Sequence, residues 1–148
     1  MSSPELGSEQ QSLIDALAVE HAAVFGYGVV AAFADPGRAD EVAADTAAHR
    51  ARRDATVDTL TAAGVTPPVA APGYTVPFPV ADPVQAAELA VQIETDVAVA
   101  WRSVLERADT EAVRADAVVA LTESAIRAAR WRSNLGIVPP TVAFPGRP

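Results

Sequence analysis

The sequence predicts an all-α fold, a four-helix bundle whose second and third helices are joined by a long proline-rich crossover. Three observations carry that expectation. Four stretches repeat apolar residues at spacings of three and four, the period of an amphipathic helix. The crossover, 65–82, contains VTPPVAAPGYTVPFPVA, whose five prolines exclude a helix and favour an extended path. Alternating strand patterns are nearly absent. With 148 residues, 50% of them hydrophobic, the chain has room for one core and is expected to form a single domain, 1–148.

The first helix is expected over about 8–34, with Leu13, Leu17, Val24, Tyr27 and Ala31 on one stripe and Asp35-Pro36-Gly37 as its stop. The second, about 38–63, carries Val42, Val57 and Leu60 and ends at Gly64, where a left-handed residue is wanted. The third, about 83–108, opens on Asp82 as N-cap and Pro83 in the first turn, and places Ala87, Val91, Val97, Ala98, Trp101 and Leu105 inward. The fourth, about 110–134, begins near Asp109-Thr110 and carries Val113, Ala117, Leu121, Ala128, Trp131 and Leu135. Gly136 and Pro139-Pro140 close it.

At about 3.1 Å per residue the crossover reaches roughly 50 Å, whereas a helix of 26 residues is only about 39 Å long. It can therefore return the chain along the bundle, so that the third helix starts beside the origin of the second. A short, long, short order of connections suits the ferritin-like arrangement with one crossover better than three short loops. Tyr74, Val76, Phe78 and Val80 give the crossover an alternating apolar face for docking. The proline-rich tail, 137–148, is expected to pack in the same way through Val142 and Phe144.

Composition narrows the chemistry. Cysteine is absent, which excludes disulfides, thiolate ligands and cysteine nucleophiles. The net charge is −8 and the chain has no lysine, so a nucleic-acid partner is not expected. The beginning, MSSPELGSEQ, lacks the basic, apolar and small-residue succession of a secretory signal, and no apolar run is expected to reach the roughly 20 residues that span a bilayer. The expected location is cytoplasmic, without a membrane partner.

Projecting the stripes inward places Glu20 in the middle of the first helix and Glu94 in the middle of the third. The second helix presents Val42, Thr46, His49, Arg53 and Val57, with Asp45 at the edge, and the fourth presents Ser124 flanked by Glu123. A di-iron carboxylate bundle takes one Glu from each of two helices and a Glu-x-x-His pair from each of the other two. Here Glu20 and Glu94 stand in the right positions, but Thr46 replaces the carboxylate before His49 and Ile126 the histidine after Glu123. Two readings stay open: a buried network in which Glu20, His49, Arg53 and Glu94 neutralise one another, or a reduced metal site of Glu20, His49 and Glu94 holding iron or manganese. No cofactor is favoured, because Arg53, as charge partner, brings a fixed positive charge to the place a cation would take.

His21 and, more weakly, Asp45 and Glu123 are further candidate ligands, although His21 lies roughly 100° round the helix from Glu20. Gly26 and Gly28 cost about 1 kcal/mol each inside a helix, and close packing would account for them. The run from His49 to Arg53 spreads round its helix and is expected to form ion pairs rather than an anion site.

EHAAVFGYG from Glu20, HRARRD from His49, GYTVPFPVADP from Gly73, AVAWR from Ala98, AARWR from Ala128 and the ending TVAFPG occur in one order over nearly the whole chain. Together they resemble an actinobacterial family of ferritin-like domains of unknown function. The resemblance implies a ferritin-like four-helix bundle and no established activity. The expected function is a non-enzymatic domain, a homodimer that binds a protein or small-ligand partner; the alternative is a metal-binding protein or metal-dependent oxidase.

Overall fold

The computed structural model describes residues 5–148; Met1–Pro4, part of the N-terminal stretch read above for a signal, lie outside the described residues. Four helices make up the fold, α1 (Ser8–Phe33), α2 (Ala39–Ala62), α3 (Pro83–Arg107) and α4 (Glu111–Asn134), and no strand occurs among the described residues. Each boundary follows from local chemistry. After α1 the side chain of Asp35 accepts from the Gly37 N–H at 2.8 Å, and Pro36–Arg38 form a single 3-10 turn. Gly64 (φ 76°) and Gly136 (φ 73°) adopt the left-handed conformation that ends α2 and α4. Asp82 caps α3 by accepting from Gln85 N at 2.8 Å, and Thr110 caps α4 by accepting from Val113 N at 3.3 Å.

The helices form a four-helix bundle in which α1 packs on α2 and α3, and α3 packs on α4. The backbones of α2 and α4 approach less closely, and long side chains span their seam. Arg52 of α2 meets Glu123 of α4 at 3.6 Å, and Asn134 donates to Glu41 at 3.4 Å. The crossover lies on the bundle: His21 donates from Nε2 to the Pro68 carbonyl at 3.2 Å, the Phe25 and Tyr74 rings are 5.5 Å apart, and Val76, Phe78 and Val80 reach the core. At the opposite corner Glu9 accepts from Asp109 N, Thr110 N and the Thr110 hydroxyl, tying the start of α1 to the start of α4.

Two expectations change here. α1 is long and apolar enough to cross a membrane by length and composition, with mean hydropathy 1.6 over 18 residues, because Glu20 and His21 are its only polar interruption along the middle. The tail does not pack through Val142 and Phe144, which are 48% and 65% exposed. It is seated instead by Gly146, where a Cβ would stand 2.6 Å from the Ala98 carbonyl oxygen of α3.

Candidate functional site

Glu20 and Glu94 face each other across His49 at mid-height, and all three side chains are withdrawn from solvent. The imidazole lies between the two carboxylates. Its Nδ1 is 2.7 Å from Glu20 Oε2, and its Nε2 is 2.8 and 2.9 Å from the two Glu94 oxygens. Burial by itself pushes the imidazole pKa down, but the hydrogen bonds to Glu20 and Glu94 outweigh it and raise it from 6.5 to about 9. At neutral pH His49 is therefore an imidazolium that donates from both nitrogens.

Neutral and cationic donors fill the remaining positions. Trp101 Nε1 donates to Glu20 Oε1 at 2.8 Å, and Arg127 Nε donates to both Glu94 oxygens at 2.9 and 3.2 Å. The Tyr27 hydroxyl lies 3.2 Å from Glu94 Oε2 and 3.2 Å from Asp45 Oδ2, and Trp131 Nε1 donates to that same Asp45 oxygen at 2.9 Å. The Tyr27 and His49 rings stack with centroids 5.4 Å apart. No buried side-chain nitrogen or oxygen among the described residues lacks a partner.

Three carboxyl groups thus share the layer with two cations, His49 and Arg127, and the surplus negative charge falls on Asp45. Among the described residues no cation lies within salt-bridge distance of it. Burial raises its pKa against the hydrogen bond from Trp131, and the charge of Glu94 adds to the rise. Burial also raises the Tyr27 pKa well above its ordinary value, with Glu94 and Asp45 contributing, so this phenol stays neutral.

This donor set does not fit a metal centre. A cation needs lone pairs, whereas His49 turns an N–H toward each glutamate, and Trp101 and Arg127 direct N–H groups at the other oxygens. Among the described residues no three imidazole or carboxylate side chains are grouped so as to hold an ion. The arrangement can instead store a buried proton on His49 and lock all four helices in one register.

A family model described as a domain of unknown function (DUF4439) matches residues 12–148. The chain belongs to this family. The DUF4439 chain is similar to the crystal structure of a conserved hypothetical protein, rv2844, from Mycobacterium tuberculosis, with 48% identity and a TM-score of 0.84. The match covers 88% of this chain and 99% of that one. No curated protein matches the chain.

Other residues singled out from the sequence fall elsewhere in the DUF4439 bundle. Arg53 is not the charge partner: it bonds Asp54 at 2.9 Å near the surface, and Arg127 takes the expected role. The physical reason is the rotation of α2, which buries Asp45 and Thr56 where the apolar stripe favours Thr46 and Val57, and leaves both Arg52 and Arg53 half-buried at its flank. The Arg52 guanidinium lies 5.6 Å from the Trp101 ring centroid. His21 serves the crossover, Glu123 pairs with Arg52 across the seam, and neither reaches the central layer. Gly26 is closely packed, since a Cβ there would stand 2.7 Å from Ile93 Cδ1, but Gly28 is exposed with nothing within 4 Å. The sequence reading also missed the indole and phenol donors. The apolar stripes place Trp101 and Trp131 in the core for their bulk, and the signal for their second role is that a buried indole N–H needs an acceptor.

Proposed function

We propose that this DUF4439 chain is a ferritin-like domain without an enzymatic centre, in which an imidazolium and a guanidinium replace the cations of a metal site. It acts by binding a partner or small ligand rather than by catalysis in its core. The observation that carries this reading is His49, whose two nitrogens are committed to Glu20 and Glu94 while Arg127 neutralises Glu94 from α4. The short, long, short order of connections supports the ferritin-like assignment.

Elemental analysis of protein purified without chelators tests it, together with Glu20→Ala and His49→Ala. Iron and manganese well below one equivalent per chain are expected in all three. Stoichiometric metal in the wild type that is lost from both variants would replace this reading with a metal-dependent oxidase.

A further inference from the structure

The tail returns across α3 and α4 and leaves two depressions that share Ala125, Val142 and Pro145 as a common wall. One, about 570 Å³, continues over Leu121 and Ile126; the other, about 340 Å³, runs beneath the tail to Ala98 and Ala128. Both volumes lie in the range of small-molecule sites, roughly 300–1,000 Å³. The lining is mainly apolar, and Ile126 (46%), Val142 (48%) and Phe144 (65%) remain exposed there.

The rim is basic. Arg130 borders the first depression, and Arg132 and Arg147 border the second. None of the three meets a carboxylate within salt-bridge distance among the described residues; Arg50, Arg107 and Arg114 elsewhere share this, while Arg38, Arg52, Arg53, Arg102 and Arg127 are paired. Among the described residues the Arg132 guanidinium makes only long hydrogen bonds, 3.4 Å each, to the Pro140 carbonyl and the Thr95 hydroxyl. Glu94 borders the second depression, but its charge is already met by His49 and Arg127. On a chain of net charge −8, three unpaired arginines around one apolar groove are a local reversal of sign.

We propose that this groove binds an anionic amphiphile, a single acyl or alkyl chain with a carboxylate head. The chain lies along Ala125, Ile126 and Val142, and the head meets Arg132 and Arg147. Charge decides against a second copy as the occupant, because a two-fold contact through this face would set each arginine cluster against its own counterpart. The inference rests on the ligand-binding reading above.

Calorimetric titration of the full chain with decanoate and with decyltrimethylammonium tests it. Decanoate is expected to bind one per chain, and the cationic probe at least about tenfold more weakly. Arg132→Gln with Arg147→Gln is expected to weaken decanoate about tenfold or more, the loss of a charge-assisted hydrogen bond. Ala125→Leu, which thickens the shared wall, should abolish binding. Arg147→Gln alone, at an exposed position, keeps the readout should the double variant not fold. Equal binding of the two probes, or decanoate affinity unchanged in the arginine variants, would overturn the proposal. So would sedimentation with phosphatidylglycerol vesicles without decanoate binding, or a light-scattering dimer that excludes decanoate. Metal content is measured separately, so a core metal would sink the functional reading and leave the groove result standing on its own.

Discussion

A histidine held between two carboxylates keeps its proton against the burial that would remove it, so His49 makes stability depend on pH. Its pKa is raised from 6.5 to about 9 by the hydrogen bonds to Glu20 and Glu94, against desolvation. Below 6.5 the folded and unfolded imidazoles are both charged and the stabilisation is complete. Between 6.5 and about 9 only the folded state holds the proton, so stability falls as pH rises and the contribution is lost above about 9. The interval corresponds to on the order of 3 kcal/mol. Urea midpoints measured from about pH 6 to about pH 10 should decline, and His49→Gln should flatten the decline. A level wild-type profile would contradict the assignment of the proton to His49. Asp45 acts with the same sign at lower pH, because burial raises its carboxyl in the folded state alone.

At the scale of elements, the two glycines of α1 separate helix propensity from packing. Gly28 is exposed within the helix and has open space where a Cβ would go, so Gly28→Ala is expected to stabilise the fold by roughly 0.5–1 kcal/mol. Gly26→Ala gains the same propensity but drives a methyl into Ile93, 2.7 Å away, and should fall short of the Gly28 variant by about 1 kcal/mol or more. Thermal melts of the two variants decide it, and equal gains would show that the α1–α3 contact is looser than described. The helix ends were legible to within about one residue because proline, glycine and capping acids act locally. Helix rotation was not legible. The stripes favoured Val24, Val91 and Leu121, yet the fully enclosed residues are Ala23, Ala90 and Ala120, because close helix seams admit alanine and turn the larger aliphatics to the flank. The same rotation explains why spacing brings Glu20, His49 and Glu94 to one layer but points to Arg53 where the structure has Arg127.

For the whole molecule, the central layer sets the desolvation of its charges against their pairing. Removing one partner strands buried charge, so Glu94→Leu, which leaves Arg127 without its carboxylate and His49 with Glu20 alone, is expected to cost about 3–5 kcal/mol. Replacing Glu20, His49, Glu94 and Arg127 together by apolar residues of similar size should recover part of that loss, since the charges no longer have to be desolvated although the Trp101 N–H loses its acceptor. Denaturant titration of the single and quadruple variants makes the comparison. A quadruple variant less stable than Glu94→Leu would mean that the charges contribute net stability.

Glu20 and Tyr27 come from α1, Asp45 and His49 from α2, Glu94 and Trp101 from α3, and Arg127 and Trp131 from α4. The first hairpin carries Glu20, Asp45 and protonated His49, an excess of one negative charge, whereas the second pairs Glu94 with Arg127 but leaves the Trp101 N–H without its acceptor Glu20. Each hairpin alone would have to keep its charges hydrated, which opposes collapse of its inner face. The layer therefore has its full set of partners only when all four helices meet, which favours the two halves of the chain folding together.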